Sequence, residues 1–247
     1  EKLRYIIAVL CLVEIIVLRK QIGRWIKSAW QNSLASPTSK IDGTTIVVVA
    51  LILTAVTIAT CRANLGTDYD SLWYGLRSDR VLAPEGGIFD KVIMMACVYT
   101  YAKGFEAFSL IFSGLPTFSF TLGCNIMLGC LLFHAIYEMT KLKTSKKASL
   151  VTVMVAALTP SILNMMITAK SDISTIYLQT VVLLYAAKAF KENESRYFIP
   201  AFSALILSFG FKPSSIVFST IILAAMLVVA LMGRFKIRLK EWFGVLG

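Results

Sequence analysis

Thr45-Ile-Val-Val-Val-Ala-Leu-Ile-Leu-Thr-Ala-Val-Thr-Ile-Ala-Thr-Cys61 contains no charged side chain, no glycine and no proline. A helix rises ~1.5 Å per residue, so this stretch covers most of a hydrocarbon layer ~30 Å thick. Its backbone could satisfy every N–H and C=O in lipid only by forming a helix. Similar runs recur outward from it, at Leu3–Leu18, Thr117–Tyr137, Ala148–Thr168, Ile173–Phe190, Tyr197–Gly210 and Ser214–Met232. The two shortest, Leu3–Leu18 and Tyr197–Gly210, gain their reading as spans from their neighbours. The composition agrees: 57% hydrophobic and 16% charged residues, where soluble chains carry about 25% charged. The expected fold is all-α, a polytopic transmembrane helix bundle. With no Met at position 1 and an abrupt first run, the chain (1–247) reads as a single membrane module cut from a longer protein.

The net charge of +11 raises the question of nucleic acid, and its distribution answers it. Basic residues stand in one cluster per loop: Arg19–Lys40, Lys141–Lys147, Lys188–Arg196 and Arg234–Lys240. That is the spacing produced by the positive-inside rule. The clusters lack the interleaved exposed aromatics on which bases would stack, so no nucleic-acid partner is expected. The same rule decides the topology. Val92–Pro116 is apolar enough to span, but Lys103, Gly104 and Glu106 interrupt it. If it crossed, the last three basic clusters would face outside. If it stays at the outer surface or re-enters, all four clusters share the cytoplasmic side. The second arrangement is preferred, with seven spans and an extracytoplasmic loop over 62–116. It brings Lys170, Asp172 and Lys212 to the same outer face.

Residues 62–91 form the one long polar island, with five of the fourteen acidic residues: Asp68, Asp70, Asp79, Glu85 and Asp90. Asp68 and Asp70 are two apart, so an extended backbone would aim both carboxylates one way, fit to hold a divalent cation. Equally, Thr67 through Asp70 fits a capping box that opens a helix. Ser71–Leu82 reads as an interfacial helix, with Tyr69, Leu72, Trp73 and Leu76 on one face. Arg77 and Arg80 could grip a lipid phosphate or make ordinary headgroup contacts. Further on, Lys103 and Glu106 could pair on a helix surface against the membrane, where ionisable groups tend to mark function. Asp172 could cap the helix starting at Ile173. Lys212, after a Gly210-Phe211 turn, could be a snorkelling lysine. Convergence on one membrane face favours function for all of them.

Other chemistries find no purchase. The five cysteines lie in or at the ends of apolar runs without CxxC or Cys/His metal spacing. Cys61 and Cys97 could pair, though inert thiols are the plainer reading. No Walker loop, GxGxxG, HExxH or GxSxG is present, and one histidine excludes three-His metal sites within the chain. Asn193-Glu-Ser195 matches a glycosylation sequon but falls in a loop placed inside.

The order Asp-x-Asp in an outer loop, then Lys103-Gly-Phe-Glu106, then Lys170-Ser-Asp172 opening a helix, then Lys212-Pro213, resembles the glycosyltransferase C superfamily. The nearest likeness is to bacterial members related to protein mannosyltransferases and the lipid A aminoarabinose transferases, over Thr45 to Met232. The resemblance implies a polyprenyl-phosphate-linked sugar as donor and an acidic general base or metal contact in the first outer loop, Asp70 first and Asp68 second. Many relatives have Asp-Glu where this chain has Asp-Tyr-Asp, which leaves the base assignment open. In the implied reaction Asp70 takes the acceptor's proton while its oxygen inverts the anomeric carbon. Arg77, Arg80, Lys170 or Lys212 would stabilise the departing phosphate. The rival readings are a lipid-linked-substrate transporter or flippase, for which polar lining within the spans is thin, and a non-catalytic scaffold in which the charges only anchor.

Overall fold

The computed structural model describes residues 42–63, 103–112 and 119–231, together with Ser71 and scattered positions between Tyr5 and Lys27. Every regular element among the described residues is a helix, and the protein is a membrane helix bundle. The chain divides into Glu1–Val47 and Val48–Gly247. In the first unit the described residues from Tyr5 to Lys27 are helical, with Ile6, Val9, Leu10 and Val13 exposed.

The helices are α1 (Gly43–Ala63), α2 (Gly104–Ser109, prolonged by a 3-10 turn, Leu110–Phe112), α3 (Ser119–Lys141), α4 (Lys146–Ala157), α5 (Pro160–Met166), α6 (Asp172–Glu192), α7 (Phe198–Phe211) and α8 (Ser215–Leu231). By length and apolarity α1, α3 and α6 can each cross a membrane. The run expected as one span over Ala148–Thr168 is instead two helices, α4 and α5, bent by 70°. Pro160 explains the break. Its ring removes an N–H and pushes the preceding residue out of the helical region, and Thr159 is extended at ψ 115. The runs containing α7 and α8 give shorter apolar helices. Within Val92–Pro116 the described part, α2 and its 3-10 turn, is far too short to cross.

Packing follows the logic of a lipid solvent, in which small residues let helices approach while large apolar ones face outward. On α1, Ala55, Ala59 and Ala63 are buried, whereas Ile46, Val47, Leu53 and Ile58 are exposed. The main core joins Ala55 of α1 to Leu132 and Phe133 of α3, Val153 and Ala157 of α4, Met166 of α5 and Ile173 of α6. A second cluster sets Ala59 and Ala63 against Leu122, Ile167 and Ala169. Threonine hydroxyls on exposed faces turn back to carbonyls one turn earlier: Thr54 to Ala50, Thr152 to Ala148 and Thr220 to Ile216. This satisfies hydroxyls that lipid could not.

The two ends of the bundle differ. At one, Lys191 Nζ donates to Leu142 O at 2.7 Å, joining the basic loops after α3 and α6. There α6 stops at Asn193, whose left-handed φ of 54° suits asparagine better than most residues. This supplies a structural reason for the asparagine of the sequon-like triplet. Ser145 caps α4 at the same end, its hydroxyl accepting from Ala148 N. The opposite end carries Lys103, Glu106, Lys170, Asp172 and Lys212.

Candidate functional site

At that opposite end α2 crosses the last turn of α7 so closely that only glycine fits. A Cβ on Gly104 would stand 2.5 Å from Gly210 O and 2.7 Å from its carbonyl carbon, well inside contact distance. Gly210 and Phe211 are the last residues of α7, and the turn expected at them follows only after Lys212, whose backbone is extended. This places Lys212 beside the start of α6.

Lys212 Nζ donates to Asp172 Oδ1, an ion pair with both side chains only partly buried. Two sequence-derived alternatives are thereby corrected. Asp172 is not the cap of α6; Ser171 occupies that position without a side-chain capping bond, and Asp172 is the first helical residue. Its negative charge there is favoured by the helix dipole. Nor does Lys212 simply reach for the interface, since it is drawn to a carboxylate held at a helix start.

Lys103 occupies the cap position of α2, and Glu106 sits in its first turn. Glu106 does not lie on the helix surface: it is buried at 4% exposure, and its Oε2 has no hydrogen-bond partner among the described residues, while Lys103 and Glu106 still attract each other. Burial raises the Glu106 carboxyl above its ordinary range, against the opposing pull of its own backbone and of Lys103. Burial likewise lowers the Lys103 ammonium, with Glu106 partly restoring it. Desolvation dominates both shifts, so each group leans towards its neutral form.

An apolar cavity of about 370 Å³ is lined by Gly104, Phe108, Leu128, Tyr177, Leu207 and Phe211 among others, with no charged side chain among the described residues of its lining. Its lining alternates in sequence with the charges: Gly104 follows Lys103, Phe211 precedes Lys212, and Ser174 lies two residues beyond Asp172. Charges one or two residues along the chain from the lining of an apolar hollow suit a ligand with an anionic head and a hydrocarbon tail.

The non-helical segment between α5 and α6 contributes Lys170 and is fixed from two sides. Asn125, buried in α3, donates its amide to Thr168 O and reaches Lys170 O at 3.5 Å. From the other side Ser71 Oγ accepts from Ala169 N at 2.7 Å. Neither Asn125 nor Ser71 stood out in the sequence. A lone asparagine within an apolar run was the signal that could have marked the first.

Lys103, Glu106, Lys170, Asp172 and Lys212 thus share one end of the bundle. Asp68, Asp70, Arg77 and Arg80 lie outside the described residues, as do the capping box at Thr67, the interfacial helix beyond Ser71, and Cys97, whose pairing with Cys61 is the less favoured alternative. Cys61, Cys124 and Cys130 are free thiols. Among the described residues no group of three or more His, Cys, Asp or Glu side chains could hold a metal ion.

A family model described as dolichyl-phosphate-mannose-protein mannosyltransferase matches residues 104–246. The match takes in Glu106, Asn125, Lys170, Asp172 and Lys212 and begins after the Asp68–Asp70 loop. Comparison with curated proteins and with solved structures gives no match.

Proposed function

The chain belongs to the dolichyl-phosphate-mannose-protein mannosyltransferase family and is a membrane glycosyltransferase; on that premise we propose that it moves a sugar from a polyprenyl-phosphate donor to an extracytoplasmic acceptor, with inversion. The observation that supports the reading is that Lys103 and Lys212 are the chain neighbours of Gly104 and Phe211, which line the apolar cavity between α2, α3, α6 and α7, and that Lys212 is paired with Asp172; these three residues form the charged rim of the proposed site. The carrier's first hydrocarbon units occupy the cavity, and its phosphate meets the lysines of the rim. The chain crosses the membrane several times, with this end facing outside and the basic loops at Leu142–Lys147 and Lys188–Arg196 facing the cytoplasm, as the positive-inside rule requires.

In the reaction the acceptor hydroxyl oxygen forms a bond to the anomeric carbon as the bond from that carbon to the carrier phosphate breaks. Asp70 accepts the hydroxyl proton, with Asp68 the second candidate for that role. The phosphate leaves with the bonding electrons, and the added negative charge is met by Lys170 and Lys212, with Arg77 and Arg80 as further cations. Residues 62–116 serve as the extracytoplasmic loop that supplies the base. Any divalent cation would fall to Asp68 and Asp70.

The test measures release of polyprenyl phosphate from a panel of polyprenyl-phosphate sugars by the purified protein. Asp70→Asn is expected to abolish release at unchanged membrane levels. Undiminished release in that variant would remove Asp70 as base, and no release from any donor by the unmodified protein would defeat the reading itself.

A further inference from the structure

We propose that Asn125 is a positioning residue for the transfer reaction: together with Ser71 it locks the Thr168–Lys170 segment into the shape that presents Lys170 and Asp172 to the site. The proposal rests on the glycosyltransferase reading for its function and on independent geometry for its mechanism.

The segment needs such a lock. Between the end of α5 and the start of α6 the chain leaves helical geometry at Ile167, with φ −103 and ψ 5, and is back in the helical region at Ser171, φ −71 and ψ −3, just before α6 opens. One internal backbone bond, Lys170 N to Thr168 O at 2.9 Å, tightens it. Thr168 and Ala169 are nonetheless buried at 2% and 0% exposure. Buried backbone groups outside a helix must find partners elsewhere. Asn125 supplies a donor to two of the carbonyls, and Ser71 supplies an acceptor to the Ala169 amide.

The chemistry of Asn125 is decided by what it faces. Both its neighbours are carbonyl oxygens, so its NH₂ must point towards them, and the reverse amide orientation would set oxygen against oxygen. Its own Oδ1 is buried without a partner among the described residues. Leaving a buried polar atom unsatisfied is costly, and an aliphatic side chain of similar size would avoid that cost. The one property an aliphatic residue lacks is the paired N–H donors. Ser71, 1% exposed, reaches the same segment across 98 residues of chain, and in sequence it directly follows Asp70. One short segment therefore ties Ser71 to the stretch that carries Lys170 and leads into Asp172.

The test uses the full chain in lipid nanodiscs with two readouts: hydrogen exchange of the amides at 167–171, and release of polyprenyl phosphate from polyprenyl-phosphate mannose as a function of pH. Asn125→Asp is the informative variant. A buried carboxyl at this position titrates above its ordinary range. When ionised it has no proton to donate and repels both carbonyls; when protonated it can again donate to Thr168 O. Of the charges on elements packed against α3, Lys170, Asp172 and the exposed Arg62 lie at this end, and the charged ends of α4 and α6 lie at the other.

At neutral pH N125D is expected to release product at least about tenfold more slowly than the unmodified protein, the scale of loss when a reacting geometry loosens. The ratio of N125D to unmodified rate is expected to climb as pH falls, while N125L stays slow throughout. Exchange at 167–171 should rise in N125L and in Ser71→Ala, and in N125D should return towards normal on acidification. A ratio that does not change with pH, or N125L matching the unmodified rate with unaltered exchange, would overturn the proposal. If N125L fails to fold, the acid recovery of N125D decides alone. If the unmodified protein releases nothing, the transfer reading has failed, and the exchange data still judge whether Asn125 and Ser71 hold the segment.

Discussion

Lys212 and Asp172 meet across 40 residues of chain, the residue that ends α7 donating to the residue that begins α6. The pair is only half desolvated, with side-chain exposures of 42% and 26%. An ion pair so open to its surroundings contributes little to stability, about 0–1 kcal/mol. In the proposed reaction its value lies in holding an ammonium where a departing phosphate would need it. Lys212→Met is therefore expected to lower turnover by roughly 10²–10³, the scale seen on removing one electrostatic donor, with little change in melting temperature. Asp172→Asn, which keeps shape while releasing the lysine, should weaken turnover less than Lys212→Met. Turnover and detergent melting curves on both variants check this, and a large fall in stability with intact turnover would reverse the assignment.

The approach of α2 to α7 makes a pair of glycine substitutions strongly unequal. At Gly104 a methyl group would collide with the Gly210 carbonyl, which is backbone and cannot swing aside. Gly104→Ala should cost about 1–3 kcal/mol as the helices are forced apart, and it should also disturb the cavity that Gly104 lines. At Gly210 a Cβ meets nothing within 4 Å, and the residue lies inside a helix. Gly210→Ala should be neutral or stabilising by up to about 1 kcal/mol. Thermal unfolding of the two variants side by side measures the difference.

How much of this was legible in the sequence follows from which forces act locally. Helices over Gly43–Ala63, Ser119–Lys141 and Asp172–Glu192 can be read from apolar runs, because lipid leaves the backbone no alternative. The membership of Lys103, Glu106, Lys170, Asp172 and Lys212 in one end follows from alternating the direction of successive helices. The 70° bend at Pro160 was available from one residue and was hidden by the apolarity on both sides of it. Burial of Glu106 was not legible, since packing such as the Gly104–Gly210 approach joins segments far apart in sequence. The Asn125 and Ser71 bonds to the 168–170 segment belong to the same class: hydropathy records what a side chain avoids and says nothing of the carbonyl it will find.

Glu106 should make stability fall as pH rises. Burial raises its folded-state carboxyl above the unfolded value, so the folded protein holds the proton more tightly than the unfolded chain. The stabilisation from the protonated form is complete below the unfolded carboxyl range and is lost as pH climbs through the raised value. Glu106→Gln keeps the shape without the titration. The variant should match the unmodified protein at acid pH and exceed it in melting temperature towards neutral and alkaline pH. Melting curves taken from acid to alkaline pH test the sign. A gap that widened on acidification would mean that Glu106 is stabilised as the anion.

Asn193 offers a control remote from the site. Its φ of 54° places it in the left-handed region, where the Glu194 amide and its own both close back on Ala189 O. Most side chains suffer there from the clash of Cβ with the following carbonyl, at a cost of roughly 1–2 kcal/mol. Glycine has no Cβ, and asparagine tolerates the region through local polar contacts. Asn193→Ala should therefore destabilise by about 1 kcal/mol, and Asn193→Gly should hold stability or improve it slightly. Because Asn193 lies at the end of α6 opposite Asp172, neither variant should alter turnover once corrected for the folded amount. Loss of turnover in the stable Gly variant would show that the two ends of α6 are coupled, and that the rim at Asp172 and Lys212 depends on how the helix terminates about twenty residues away, ~30 Å along its axis.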